Sequence, residues 1–157
     1  AHLVQFPIGD SFAAPNLKRL LADPNVVKLF HFGRFDIAML YKHLGVLSAP
    51  VYCTKIASKL VRTYTDRHGL RDLCHQLLGV EISKQQQSSD WGAPQLSDEQ
   101  LAYAASDVLH LHRLKAVLDQ IIDREKRRDI AEACFAFLPM RAKLDLLGWV
   151  DPEIFAH

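Results

Sequence analysis

Two acids and a phenol are the residues of this chain best suited to do chemistry. In LSDEQLAYAASDVLHLHRLKAVLDQII, Tyr103 and Asp107 lie four residues apart, so on a helix they stand one above the other on a single face. Leu111 and Leu114 continue that face. The carboxylate is thereby turned towards the apolar body of the protein, where a lone charge costs on the order of several kcal/mol unless it is paired or meets a metal ion. Taken alone, the pair reads equally as a packed tyrosine beside an Asp bonded to an Arg or a backbone amide. A second acid, Asp36 in HFGRFD, follows a strand-like run, a glycine and the start of a helical pattern. Ligands bind at that carboxyl edge of open α/β sheets, and a helix N-terminus there holds an acid ionised. Such an acid also occurs as a helix-terminal charge with no ligand at all. The combination says more than either part. An Asp just past a strand and a Tyr-x-x-x-Asp on a later helix rarely occur together by chance.

The elements that must position these groups can be read from the pattern. VVKLFHF (Val26 to Phe32) is a short β-branched and aromatic run that predicts a buried strand. Gly33 breaks it, and FDIAMLYKHLGV has helical spacing ending at Gly45. Ser97 with Gln100 forms a capping box. The helix it opens carries Tyr103 and Asp107 and is expected to run to about Asp123. Elsewhere AHLVQF alternates like a strand, and APNLKRLLADPNV reads as a short helix between Pro15 and Pro24. VYCTKIA predicts a strand or turn leading into a helical KIASKLV. LRDLCHQLLGV carries one leucine face, and KQQQSSDWGAPQ reads as a loop. DREKRRDIAEACFAFL predicts a further helix, with PMRAKLDLLGWVDPEIFAH as a tail. Strand, helix, strand and then helices imply an α/β fold with helices packed on a sheet.

The chain has 157 residues, about half of them apolar, which suits one domain with one core. Nineteen Lys and Arg against 18 Asp and Glu exclude a basic arm or an acidic solvating tail. Cys53, Cys74 and Cys134 are odd in number and far apart, against a disulfide framework or zinc site. A reducing cytoplasm is the expected location. No apolar stretch approaches the roughly 18 residues of a membrane span, and nothing resembles a signal peptide, so no membrane partner is expected. Charge is nonetheless uneven. From Lys55 to Arg71 there are five Lys or Arg and one acid, Asp66. Tyr64, Arg67 and His68, with Lys84 and Gln87 from the polar loop, are the candidate substrate-binding residues, since phosphate contacts position a nucleic acid without reading its sequence. A solvated helix face with loop residues explains them equally well. His31 reads as a hydrogen-bonded core histidine ahead of a strand-end residue near the active acids, Trp91 as a core or loop anchor ahead of a base-stacking ring, and Arg124, Lys126, Arg127 and Arg128 as an exposed helical face.

HFGRFDIAML, CTKIASKL, HGLRDLCHQLLGVEISKQQQSSDW and LSDEQLAYAASDVLHLHRLK occur in the order and spacing of a known family. The chain resembles the ribonuclease D branch of the DEDD 3′–5′ exonucleases, in the DEDDy subgroup, over roughly residues 1 to 122. The tail CFAFLPMRAKLDLLGW and VRTYTDRHGL are similar to the compact bacterial nanoRNases of the NrnC type within it. The resemblance implies a ribonuclease H-like three-layer exonuclease fold. It implies two divalent ions, Mg²⁺ or Mn²⁺, with Asp36 and Asp107 as metal ligands and Tyr103 orienting the attacking water. It further implies short RNA or single 3′ ends as substrates, DNA being a further possibility, and a homo-oligomer of eight subunits. The family's first motif, Asp-x-Glu on the first strand, has no counterpart. Asp123-Arg124-Glu125 and Asp151-Pro152-Glu153 occur outside any strand context. The expectation is therefore a single exonuclease domain over residues 1–157 that lacks its first two strands and two of four metal-binding carboxylates. As given it would be inactive, with residues 123–157 a helix and tail available for assembly. The alternative is a non-catalytic nucleic-acid-binding or ring-forming module.

Overall fold

The computed structural model describes residues 1–6, 12–83, 85–86, 88–149 and 154. Helix α1 (Pro15–Ala22) begins with proline in its first turn and buries Leu21. Strand β1 (Lys28–Phe30) and strand β2 (Val51–Cys53) pair in parallel, with Lys28 opposite Val51 and Phe30 opposite Cys53. Between them lies α2 (Gly33–Leu44), closed by Gly45 in the left-handed conformation. Helix α3 (Thr54–Val61) leaves directly from β2. Helix α4 (Leu70–Leu73) runs into a π-helical turn over Cys74–Leu78. Then come α5 (Asp98–Leu109), α6 (Leu111–Arg124) and α7 (Arg128–Leu146).

Alternation along β2 divides the core between the two faces of the sheet. Tyr52 packs with Leu114, Leu118 and Ile122 of α6, Ala57 and Val61 of α3, and Phe135 of α7. Val51 and Cys53 pack instead with Ile37 and Ala38 of α2 and Leu138 and Ala142 of α7. Helices therefore cover both faces, and α7 contributes to each. The stripe Leu111, Leu114, Leu118 and Ile122 is fully turned inwards, as its spacing requires.

Four expectations need correction. Residues 1–6 form no strand; five of the six are exposed, and alternation without a pairing neighbour has no ladder to join. The long helix is two helices, divided at His110, whose φ of −97° and ψ of −6° end α5 before α6 begins. The faces of Asp107 and Leu111 are thus not continuous: Gln100 is the buried residue of α5, while Tyr103 and Asp107 are half-buried. Pro139 does not begin a tail. It lies buried inside α7, flanked by Leu138 and Ala142 against α2. That packing outweighs the roughly 3 kcal/mol a helix-internal proline costs. Finally, Arg127 and Arg128 are not a solvated face. Arg127 donates to the carbonyl of Leu60, and Arg128 pairs with Asp119 and Asp123 at 2.8 Å each. Cys53, Cys74 and Cys134 are free thiols, the first two buried.

Candidate active site

The turn between β1 and α2 places the first acid. Phe32 adopts φ 62° and ψ 38°, the left-handed region, which is rare for a large side chain. Gly33 follows because nothing larger fits: a Cβ there would lie 2.5 Å from Cβ and 2.8 Å from Cγ of Phe30. This tight corner lets α2 start at the sheet edge with Asp36 in its first turn. Arg34, two residues earlier, makes two 2.6 Å hydrogen bonds to both oxygens of Asp145 on α7. Arg141 reaches the same carboxylate at 2.8 Å. The N-terminus of α2 is thereby clamped to α7.

The second acid is placed by the capping box. Ser97 Oγ accepts from the Gln100 backbone N–H at 3.3 Å, and Gln100 Oε1 accepts from the Ser97 N–H at 2.9 Å. Gln100 Nε2 also donates to the carbonyl of Asp90 at 2.9 Å and to Ser89 Oγ at 3.1 Å. The buried glutamine thus fixes both the start of α5 and the polar loop before it. Trp91 from that loop sits 5.9 Å from the ring of Tyr103, centroid to centroid, and anchors the loop as expected.

Asp36, Tyr103 and Asp107 line one cleft of about 850 Å³, together with His31, Phe32 and Arg71. Neither acid forms an ion pair among the described residues. The Asp36 carboxyl is pushed above its usual range, first by desolvation against the cleft walls and further by the charge of Asp107; its own backbone N–H opposes this. Much of Asp36 is still open to solvent. The desolvation therefore reflects the walls around an open cleft and not full enclosure, and its energetic weight is correspondingly small. Asp107 is also raised, by burial. Burial, followed by the charge of Asp107, raises the Tyr103 phenol. Two carboxylates that repel one another and meet no cation of the protein fit a site for hard divalent ions. They supply only part of a donor set: no group of three or more His, Cys, Asp or Glu is arranged to hold a metal among the described residues.

The remaining candidates lie elsewhere. Tyr64 and Arg67 are exposed on the turn after α3, and neither lines the cleft. His68 is buried, its Nδ1 2.8 Å from Ser58 Oγ, and it also does not line the cleft. Lys84 and Gln87 lie outside the described residues. His31 differs from a plain core histidine because it lines the cleft. Its Nδ1 is 2.9 Å from Thr54 Oγ1, and burial, followed by the charge of Lys55, lowers its pKa to about 4. Arg71 is the cleft's contribution from the basic segment. Sequence reasoning named it in a cluster without distinguishing it, and its position two residues past Gly69, at the start of α4, was the available signal.

Residues 1–123 match a family described as 3′–5′ exonuclease. The chain belongs to this family. Ribonuclease D of Gluconacetobacter diazotrophicus is 39% identical over 119 residues, covering 76% of this chain and 30% of that protein. The chain thus spans under a third of the curated relatives it matches first. Brucella melitensis NrnC bound to pGG superposes with a TM-score of 0.93 at 60% identity, covering 98% of this chain and 74% of NrnC. The same protein with bound Mg²⁺ gives 0.92 at 59% identity, again over 98% and 74%. Escherichia coli ribonuclease D gives 0.75 at 26% identity, over 82% of this chain and 34% of that one. The fold is accordingly that of the ribonuclease H-like 3′–5′ exonucleases, although two strands are present among the described residues. No helix among those residues is long and apolar enough to cross a membrane.

Proposed function

We propose that this chain is the nuclease domain of a metal-dependent 3′–5′ exoribonuclease. It would cut short oligoribonucleotides, dinucleotides included, to mononucleotides in the cytoplasm. The observation that carries the proposal is the convergence of Asp36 and Asp107 in one cleft, each with a raised pKa and neither with an ion-pair partner among the described residues. NrnC bound to pGG and NrnC with bound Mg²⁺ support short RNA as substrate and Mg²⁺ as cofactor, with Mn²⁺ the alternative ion of the same reading. Assembly into a homo-oligomer, an octamer by family likeness, belongs to the same reading. So does treatment of residues 1–157 as one domain whose segment 123–157 joins subunits. DNA is a further candidate substrate.

Asp36 and Asp107 would hold the ions. When bound, two divalent ions supply the charge that stabilises the attacking and leaving oxygens of the phosphodiester. Tyr103 has a phenol raised above its ordinary value, so it keeps its proton near neutral pH. It therefore orients a water by hydrogen bonding and does not act as a simple base. His31 is neutral there as well, which leaves its ring free of competing charge beside the acids. Tyr64, Arg67 and His68 stay as candidates for substrate contacts outside the cleft, and Lys84 and Gln87 as candidates on their residue types alone. With Asp36 and Asp107 as the acids that would hold them among the described residues, divalent ions would bind weakly, and residues 1–157 by themselves would turn RNA over poorly.

That partial donor set is also what favours a second reading, a nucleic-acid-binding or ring-forming module without catalysis. Digestion of labelled two- to seven-nucleotide RNAs with Mg²⁺ or Mn²⁺ separates the two. The full-length protein is expected to release mononucleotides from the 3′ end, and residues 1–157 alone to do so far more slowly. Tyr103→Phe in the full-length protein is expected to lower kcat by about 100-fold with KM within a few-fold. Binding without cleavage by the full-length protein in both metals would rule out the nuclease reading.

A further inference from the structure

Helix α5 carries two of the site's side chains, yet the residue it buries is polar. Gln100 is 7% exposed, whereas α6, the next helix, buries Leu111, Leu114, Leu118 and Ile122. Apolar packing seats α6; hydrogen bonds hold the start of α5. Gln100, Tyr103 and Asp107 are spaced three and then four apart, so they share one side of the helix. The directions of the bonds at Gln100 are fixed by its neighbours. Ser89 Oγ donates its one proton to the carbonyl of Gln86 at 2.9 Å, so towards Gln100 it accepts. The Asp90 carbonyl is an acceptor as well, and both face Gln100 Nε2, at 3.1 and 2.9 Å. Gln100 Oε1 meets the Ser97 N–H at 2.9 Å. A rotated amide would set oxygen against two acceptors, so a single orientation satisfies the group. The oxygen of this side chain therefore caps α5, and its nitrogen tethers Ser89 and Asp90. Trp91 follows Asp90 directly, and its ring lies 5.9 Å from that of Tyr103, inclined by 44°. Asp90 Oδ1 accepts from the Gly92 N–H at 3.0 Å, which turns the chain just past the indole.

We infer that Gln100 is a positioning residue for Tyr103, acting through Asp90 and Trp91. The tether holds the indole in place, and the indole is the wall against which the phenol keeps its hydroxyl aimed at the attacking water. The inference rests on the exonuclease reading above. It extends that reading to Gln100 and Trp91, neither of which lines the cleft. The loop before α5 thereby takes part in turnover without touching substrate.

Gln100→Glu separates the two halves of the side chain. A glutamate keeps the cap, since a carboxylate oxygen accepts from the Ser97 N–H and suits a helix N-terminus. It replaces the donor facing Ser89 and Asp90 by a second acceptor. In the full-length protein with Mg²⁺ and a labelled seven-nucleotide RNA, kcat is expected to fall about tenfold with KM within about twofold. In the Tyr103→Phe background the same substitution should cost less than about twofold, because the hydroxyl it would misplace is gone. Trp91→Leu should reproduce both results with cap and tether intact, and Trp91→Phe, which keeps a ring there, should recover most of the loss. In EDTA, the near-ultraviolet circular dichroism of Gln100→Glu should move towards that of Trp91→Leu, a readout that needs neither metal nor turnover. Unchanged kcat per folded molecule in Gln100→Glu, whatever its unfolding midpoint, overturns the positioning role. So does a loss equal in both backgrounds, a Trp91→Leu variant with wild-type kcat, or an unaltered dichroism spectrum in Gln100→Glu. If the wild-type protein releases no mononucleotide from the RNA, the exonuclease reading itself falls and takes this inference with it.

Discussion

Asp36 and Asp107 face a cleft in which the charge acting on Asp36 is the repulsion of Asp107, whereas Arg62, at the end of α3, is almost wholly enclosed by acceptors. Its guanidinium donates to Ser58 Oγ at 3.2 Å, to the carbonyl of Arg67 at 2.9 Å and to Gln76 Oε1. It also reaches the hydroxyl of Tyr64 at 3.4 Å. Ser58 is shared with His68. All these groups are ones a nucleic acid could use, and the sequence offers both regions as candidates for substrate or metal. The difference lies in where the hydrogen bonds go. Polar groups that satisfy one another hold the turn from 62 to 68 in shape; acids whose neighbours make their charge costly are kept for something from outside.

Substitution should separate the two regions cleanly. Asp36→Ala or Asp107→Ala in the full-length protein is expected to lower kcat by about a thousandfold without loss of thermal stability. A variant that keeps a tenth of wild-type turnover would take that acid out of the centre. Arg62→Met should do the reverse, costing about 2–3 kcal/mol of stability because several acceptors lose a charged donor. Turnover per folded molecule should hold, and a drop in kcat at unchanged denaturation midpoint would erase the contrast. Gly33→Ala belongs between them. The clash with Phe30 should cost about 1–3 kcal/mol, and turnover should fall as well because the same corner aims Asp36.

A pH titration sharpens the comparison from the other side. His31 has a folded pKa of about 4 against an ordinary 6.5, so between those values the unfolded chain binds a proton that the folded protein refuses. Stability from this group is full above pH 6.5 and is lost as pH falls towards 4, by about 1–2 kcal/mol once partial hydration is allowed for. His68 is shifted the same way, by burial and then by Arg62 and Lys59. His31→Gln should therefore flatten the acid limb of urea-denaturation stability only in part. An unaltered limb would show that His31 is not held neutral. The smallest effect concerns Asp107, whose raised pKa gives the opposite sign: stability present below about pH 3.9 declines as pH rises through the folded value. Asp107→Asn in EDTA at pH 7 should consequently raise Tm by about 1 °C. A lower Tm there would mean that the carboxylate has a favourable partner in the fold.

Local signals were the legible ones. The Ser97–Gln100 box is complete within four residues, and the stripe from Leu111 to Ile122 needs no knowledge of what it packs on. Gly33 and Tyr103 mark where Asp36 and Asp107 sit on their own helices, but that the two acids share one cleft was legible only through the family resemblance. The break at His110 was not, since helical periodicity runs on across a single turned residue. Pro139 misled because Leu138 and Ala142 beside it pack with residues of α2 about a hundred positions away in the chain, and that packing overrules local preference. The cluster from Lys55 to Arg71 shows the same limit. Charge counts do not say that Arg62 points inwards to Gln76 while Lys55 and Lys59 border a pocket.

The paired hydrogen bonds between Arg34 and Asp145 have a wider bearing. The family match stops at residue 123, yet the brace for the segment bearing Asp36 is anchored 22 positions further on. A boundary drawn by similarity therefore cuts through a mechanical unit. A polypeptide trimmed to the matched span would keep both acids and lose the strut that aims one of them.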